Sequence, residues 1–569
     1  MCMVCNGGNT KKKIVISSLT FAGITAGSYY TFLLLSSMLL IVTTSHAFAQ
    51  SQSLEEMITF YKHSDFIKEF ESTIQEVGGL KGIATDSDGN AWFYHSTTKA
   101  STLVKIDTTM KFTQYGIFGN TTVHDFIINL TGGQLVFDKS RNLIWFTDAR
   151  TNSIGKFDIK REKAELIGIP TSQAGPMGLI LSPDNKSIWF AELTGSKIGR
   201  LNVDSNKVTE YFTGDNSGPT FLAFDETGTL WVTLSYSHNI VRLQTDLIDS
   251  DPSKSMSIIP MSNQESPFTP FGIAVLTDDG KKRIFVSDHG SSRVISFMDS
   301  NPDSFTSYWT SPSQVYPDTL PGQIVADKKG TIYFPEHGGN RIAKIDPTGL
   351  MTEYDIPTGP LSTVVFLSTS DDGNRVWFTE LLANRIAYLD TTMPVDFNLK
   401  VNADNQLTVN KNLKKTIYVS LSSLSDKNSS HISLSNVTLD VVGMTDYGLR
   451  NLKYDIQPQK IDLQNNASIV AQLNLVAEEK AISGQYTVMV RASAPAGEQL
   501  VSELYPVSIR LESSQIENQN THASNMVSEE KTWFHDLVNL LLLLVAIALI
   551  GYLAYTKIKL RKSSQKKEL

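Results

Sequence analysis

Two short segments carry the side chains best suited to chemistry: Asp288-His289-Gly290 and Glu336-His337-Gly338. Each sets a carboxylate beside an imidazole, a pair that can ligate a divalent metal or move a proton. His95, Asp148, Glu192 and Glu380 stand at matching places elsewhere in the chain. His289 and His337 are therefore candidate proton carriers. Asp288, Glu336, Glu192 and Glu380 are candidate ligands for Mg²⁺ or another divalent ion. A second reading stays open, in which each acid pairs with a base a few residues on, such as Arg293, Arg341 or Arg385, because structural ion pairs occupy such places too. Thiol chemistry is confined to the first residues, since the only cysteines are Cys2 and Cys5.

The candidates recur because their surroundings recur. Each follows an apolar-aromatic run: Ala91-Trp92-Phe93-Tyr94, Ile144-Trp145-Phe146-Thr147, Ile188-Trp189-Phe190-Ala191, Leu230-Trp231-Val232-Thr233, Ile284-Phe285-Val286-Ser287, Ile332-Tyr333-Phe334-Pro335 and Val376-Trp377-Phe378-Thr379. Their aromatic positions are 53, 44, 42, 54, 48 and 44 residues apart. A period of about 46 residues fits four short strands with their turns, one propeller blade. The aromatic run is the second strand. The first is typified by Pro176-Met177-Gly178-Leu179 and Pro270-Phe271-Gly272-Ile273, the third by Lys197-Ile198-Gly199-Arg200-Leu201 and the fourth by Thr209-Glu210-Tyr211-Phe212. Alternating apolar and polar residues suit half-buried antiparallel strands. In a propeller the ends of the second strands converge on one face around a central channel. That places His95, Asp148, Glu192, Asp288, His289, Glu336, His337 and Glu380 at one mouth, and the Trp row in the packing between blades.

The seventh copy ends near Asp390 without a fourth strand. Phe66-Ile67-Lys68-Glu69-Phe70 has the fourth-strand pattern and is expected to supply it, closing the ring and removing its open edges. From Val395 the repeat stops. Strands predicted at Thr416–Leu421, Val437–Val442, Ser468–Val476, Gln485–Ala492 and Tyr505–Leu511 suggest an immunoglobulin-like β-sandwich over residues 395–512. Residues 513–532 read as a polar stalk. The expected class is thus all-β: a seven-bladed propeller over 66–394, the sandwich, and one C-terminal transmembrane helix.

That helix is Leu537–Tyr555, a stretch without charge, long enough at about 1.5 Å per residue to cross the hydrocarbon layer. Trp533 and Phe534 precede it and Tyr552 and Tyr555 sit at its far end, as interfacial aromatics do. The basic tail, residues 556–569, is expected inside and the body outside the cell membrane. Residues 1–49 read as an export signal, with Lys11–Lys13, an apolar run and Ala47-Phe48-Ala49 as a cleavage site; an uncleaved anchor is the alternative. Sequons at Asn120, Asn129, Asn185, Asn428, Asn436 and Asn466 permit glycosylation outside. The chain has 569 residues and a net charge of −8, of which the two ends hold +3 and +5, leaving −16 for residues 50–555. An acidic body argues against nucleic-acid partners.

The repeat resembles the streptogramin lyase (virginiamycin B lyase) family of seven-bladed propellers. The resemblance rests on Trp189-Phe190-Ala191-Glu192 with Ser196-Lys197-Ile198-Gly199-Arg200-Leu201, on Trp145-Phe146-Thr147-Asp148 with Asn152-Ser153-Ile154-Gly155-Lys156, and on Trp377-Phe378-Thr379-Glu380 with Asn384-Arg385-Ile386. It implies the fold for about residues 66–394. It also implies Mg²⁺-assisted opening of a cyclic ester by elimination, with histidines just after the Pro of the innermost strand in the last two blades and a metal-binding Glu near the end of a second strand. The matching positions here are Gly322 after Pro321 and Leu361 after Pro360, with Met177, Thr220 and Phe271 in other copies. Neither Gly nor Leu takes a proton, so the general-base route does not carry over.

Three functions are compatible with the sequence. One is a membrane-anchored propeller that binds a small molecule, a glycan or a surface protein, or acts as a scaffold. Another is a metal-dependent lyase or hydrolase acting on a lactone or cyclic ester, with His289 and His337 in place of the missing histidines. The third is a structural envelope component.

Overall fold

The second strands are buried on both faces, as in Ala91–Ser96 and Thr229–Leu234, where every residue is inaccessible. Apolar residues at consecutive positions make this possible, because each sheet is covered on either side by its neighbours. The computed structural model describes residues 65–512 apart from 73–78, 97–99, 120–131, 262–267, 314–315, 317, 361, 405, 425–433, 445–448, 450, 465–466 and 497–498. The described chain is all-β, with one short helical turn at Pro252–Ser255.

Its first part is a series of four-stranded antiparallel units with the strands in sequence order. Unit 1 runs Leu80–Thr85, Ala91–Ser96, Ala100–Ile106 and Phe112–Gly119; unit 3 runs Pro176–Leu181, Ser187–Glu192, Lys197–Asn202 and Val208–Phe212. Unit 2 lies between them, within residues 135–168, and units 4 and 5 span residues 219–260 and 270–309. Unit 6 is Val325–Ala326, Ile332–Glu336, Arg341–Ile345 and Met351–Asp355. Unit 7 takes Val364–Thr369, Arg375–Glu380 and Arg385–Asp390 from its own stretch and its outer strand, Ile67–Glu71, from the beginning of the chain. The register is Ile67↔Leu389 through Glu71↔Arg385, so the expected closing segment pairs as anticipated, one residue further on. The first strands of successive units touch in order, and the first strand of unit 7 touches that of unit 1.

Local sequence explains the unit. In units 1 and 4 an Asp ends the first strand and folds the hairpin: Asp86 accepts backbone N–H groups of Asp88 and Asn90 and the Trp92 indole N–H at 2.7 Å. Asp225 does the same for Thr227, Thr229 and Trp231. The Ile-Gly-basic pattern of the third strand also has a steric cause. A Cβ on Gly199 would lie 2.0 Å from the Phe190 ring, and one on Gly155 2.1 Å from Phe146. Only glycine leaves room for the aromatic directly opposite.

The second part is two-layered. One layer pairs Phe397–Asn402, Lys414–Ser423, Ser468–Ala477 and Leu452–Gln457. The other runs from Lys460–Leu463 through Leu434–Val442 and Gly484–Ala496 to Gln499–Glu512, which also pairs in parallel with Leu407–Asn410. Leu399, Val419 and Leu473 face Leu439, Val490 and Ile509 in a common core. The second layer does not stop at the boundary expected near residue 395. Gln499–Glu512 pairs with the outer strand of unit 6, Met351↔Leu504 to Tyr354↔Val501, giving a single nine-stranded sheet. The common core also takes in Phe66, Ile67, Tyr354 and Leu389. The described residues thus form one compact unit rather than two.

Among the described residues, no helix is long and apolar enough to cross a membrane. The export signal, the stalk, Leu537–Tyr555 and the basic tail lie outside them, as do the sequons Asn120, Asn129, Asn428 and Asn466. Asn185 and Asn436 are exposed, both with positive φ.

Candidate functional site

The residues that end the second strands come together as the sequence implied, paired with the residues that begin the first strands: Leu80↔His95, Pro176↔Glu192, Pro270↔Asp288, Pro321↔Glu336 and Val364↔Glu380. They do not line an open mouth, however. His95, Asp148, Glu192, Asp288, Glu336 and Glu380 are each buried beneath the turn that follows.

An unpaired buried acid is costly; Asp148, Asp288 and Glu336 are hydrogen-bonded, whereas neither carboxyl oxygen of Glu192 or Glu380 has a hydrogen-bond partner among the described residues. Asp288 accepts from Arg293 Nε at 3.2 Å and from the Thr269 backbone N–H at 2.8 Å. Glu336 accepts from Arg341 Nη1 at 3.1 Å. In both cases the ion-pair reading describes the geometry. Asp148 accepts from the Arg150 N–H and the Thr151 hydroxyl.

Units 3, 6 and 7 share a further arrangement that the sequence reading missed. The fourth strand brings a second glutamate to the same cation: Glu210 in unit 3, Glu353 in unit 6 and Glu69 in unit 7. All three occupy one register, opposite Gly199, Ala343 and Ala387. Each accepts a backbone N–H from the loop entering its unit: Thr171 at 2.8 Å, Ser311 at 2.7 Å and Thr358 at 2.8 Å. Lys197 bonds Glu210 at 2.9 Å and Arg385 bonds Glu69 at 2.8 Å. The cations therefore serve the fourth-strand acids in units 3 and 7, a correction to the expected Glu380–Arg385 pair. Burial first, and the neighbouring Glu210 second, push the Glu192 carboxyl up to about 8. Burial together with Glu353 and Glu69 holds Glu336 and Glu380 well above the usual carboxylate range.

The two histidines meet. Their rings lie 5.8 Å apart at 82°. His289 stacks on Phe271 at 4.4 Å and its Nδ1 bonds the Pro321 carbonyl oxygen at 3.0 Å. His337 Nδ1 is buried with no hydrogen-bond partner among the described residues. Burial lowers both pKa values, and His337, pressed further by His289, falls to about 3. Both imidazoles are neutral at pH 7.

The first strands carry one more ionisable group. With the register observed, the position where the resemblance expects histidines is Lys81, Gly133, Met177, Thr220, Phe271, Gly322 and Val365. In unit 7 it is Val365 and not Leu361, because the strand begins at Val364; Leu361 lies outside the described residues. Only Lys81 of these can exchange a proton. It is buried, and its Nζ has no hydrogen-bond partner among the described residues. Burial lowers its pKa to about 7 against the pull of Asp148. Its signal was present as Leu80-Lys81-Gly82-Ile83, concealed because Leu80 replaces the usual Pro.

The residues do not fit the Mg²⁺ that the resemblance implies. Mg²⁺ needs several oxygen ligands, whereas Asp288 and Glu336 are bound by arginines and Glu192 and Glu380 sit in the acid–cation–acid clusters. Among the described residues, no group of three or more His, Cys, Asp or Glu is placed to hold a metal ion.

Residues 66–280 match the Virginiamycin B lyase family. The virginiamycin B lyase of Nocardia farcinica is 24% identical over 226 residues, covering 40% of this chain and 70% of that protein. A solved streptogramin B lyase is 24% identical with a TM-score of 0.46, and the Staphylococcus aureus virginiamycin B lyase is 21% identical with 0.47; each alignment covers 57% of this chain and 97% or 98% of the other. His289 and His337 lie beyond the matched stretch, so the match itself assigns them no role. The chain therefore carries a streptogramin lyase-like propeller.

Proposed function

We propose that the chain is a closed seven-bladed propeller with an immunoglobulin-like second layer, held at the cell surface by its C-terminal apolar segment and acting as a binding or scaffold module. The cyclic contact of the first strands supports ring closure. One observation carries the functional reading: every acid at the ends of the second strands is hydrogen-bonded or set beside an Arg–Glu or Lys–Glu pair, and no histidine occupies the first-strand register. The histidines that would drive an elimination are thus absent from that register, and Asp288 and Glu336 are already committed to their arginines. The ligand is a small molecule, a glycan or a surface protein.

Lys81 favours a second reading. A buried amine with a pKa near 7 is matched to take a proton at neutral pH, and it holds in unit 1 the first-strand register at which the resemblance expects histidines in the last two units. In that case the module opens a lactone or cyclic ester. The two readings separate in one experiment, incubating virginiamycin B with the protein and Mg²⁺ and following ring opening by mass spectrometry. An intact ring supports the binding module. Ring opening lost in Lys81→Met, or in His289→Ala and His337→Ala, supports the enzyme and overturns the binding module.

A further inference from the structure

The layer of the second part that does not pair with the ring has a sheet face that neither reading uses. Its strands lie in the order Phe397–Asn402, Lys414–Ser423, Ser468–Ala477 and Leu452–Gln457. Ile417, Val419, Ala471 and Leu473 point into the core, so Tyr418, Ser420, Val470 and Gln472 point outward. We propose that this outward face is a binding platform for a neutral glycan chain, with Tyr418 as its stacking residue and the amides beside it as its hydrogen-bonding groups. It goes beyond the binding reading above, since it gives the glycan named there a place on the second part that stands whether or not the ring has an activity.

Three features carry it. The first is an aligned row. The register sets Asn402 opposite Tyr418, Tyr418 opposite Gln472, and Gln472 opposite Gln457. All four are exposed, and across four strands about 4.8 Å apart the row spans about 14 Å, the reach of a short oligosaccharide rather than of one sugar ring. Tyr418 is 51% exposed although its strand is a middle one, and its outward neighbours Thr416, Ser420 and Ser422 are small and polar. A tyrosine offers a flat apolar body with a polar tip. A pyranose offers the complement, C–H groups on its face and hydroxyls round its rim, so the contact is flat against flat and needs no cavity.

The second feature is that the amides are held in advance. Asn474 Oδ1 accepts from Gln472 Nε2 at 3.2 Å and from Thr416 Oγ1 at 2.8 Å, and Gln457 Nε2 donates to Asp455 Oδ1 at 3.1 Å. Each glutamine is fixed through its NH₂ group, which leaves Oε1 to accept from a hydroxyl and lowers the ordering cost of binding. The third feature is what the face lacks. None of its four strands contains an arginine, and the rows beside Tyr418 add one charge of each sign, Lys400 and Asp455, so there is no field or fork for an acidic polymer. On the outward side of the two middle strands only Tyr418 and Val470 are large, apolar and exposed. That falls far short of a protein interface, which buries about 800 Å² on each partner.

The test is a glycan array of neutral and acidic oligosaccharides, probed with the full chain in a detergent without sugar headgroups, for wild type, Tyr418→Phe, Tyr418→Ala and Gln472→Ala. Both positions are exposed, so the substitutions leave the core intact. The wild type is expected to bind neutral glycans. Tyr418→Phe keeps the ring and is expected to keep the affinity, whereas Tyr418→Ala is expected to lose about tenfold and Gln472→Ala about threefold or more. Binding to no neutral glycan, binding to acidic glycans alone, or equal neutral binding by wild type and Tyr418→Ala overturns the platform. The ring-opening assay on virginiamycin B is expected to give the same result for wild type and Tyr418→Ala, so the reading of the ring and the platform can each fail alone.

Discussion

Glu192 and Glu210 share Lys197, but only Glu210 bonds it. The second acid therefore keeps its proton near neutrality, its pKa pushed up to about 8 from 4.5 by burial and by Glu210. A folded-state pKa above the unfolded value makes a contribution that is fully present below about pH 4.5 and lost as pH rises through about 8. Glu192→Gln keeps the shape and removes the titration. Urea unfolding at pH 5 and pH 8.5 is expected to show a smaller pH effect in the variant, by about 2–4 kcal/mol; equal pH effects would mean that Glu192 ionises freely. Lys81 has the opposite sign. Burial lowers its pKa from 10.5 to about 7, so its cost grows as pH falls through that window. Lys81→Met is expected to stabilise the fold by about 1–4 kcal/mol at pH 6, and by less at pH 10, in the same assay. A gain independent of pH would show that packing, not charge, is responsible.

At the scale of the element, the second strands were legible because burial on both faces leaves an unbroken apolar-aromatic run that no surface strand carries. The closing strand was legible for a related reason: Phe66 and Ile67 face the core, and Lys68 and Glu71 face solvent. Its match to the other fourth strands extends to chemistry, since Glu69 holds the register of Glu210 and Glu353. What local pattern does not encode is which of two acids a cation will serve. Glu336 and Glu380 precede Arg341 and Arg385 at the same spacing, yet the first is bonded and the second yields its arginine to Glu69. That choice depends on the loop N–H groups that fix the fourth-strand carboxylates, contacts as distant in sequence as Thr358 and Glu69. A chain shortened to begin after Ser72 loses the strand that covers Arg385–Asp390 and leaves an edge free to pair. Size-exclusion chromatography with light scattering is expected to find larger assemblies than the longer chain forms; an unchanged assembly state would show that unit 7 does not need the strand.

Across the whole molecule, the largest departure from the sequence reading is that the second part is grafted onto the ring by hydrogen bonds. Alternation revealed most of its strands, though not Phe397–Asn402, Leu407–Asn410, Leu452–Gln457 or Lys460–Leu463, which are short or lie between turns. Nor did it reveal that Gln499–Glu512 pairs with unit 6, because an edge strand's partner is chosen by geometry across distant sequence. The consequence is visible in burial. The outer strand of unit 3, Val208–Phe212, is half-exposed and shows Phe212 to solvent, whereas that of unit 6 buries Met351, Thr352, Glu353 and Tyr354. Met351 packs with Val442, Met489 and Leu504, and Asp355, which bonds Arg341, also receives the Leu500 N–H. The second layer therefore supports the unit that holds Glu336 and His337. A fragment ending at residue 394 exposes that apolar strand together with its unpaired backbone, a combination that drives edge-to-edge association. Such a fragment is expected to aggregate or to melt well below a fragment ending at residue 512, as read by light scattering and thermal unfolding. If it stays monomeric with an unchanged midpoint, the second layer is a passenger on the ring and not part of its support.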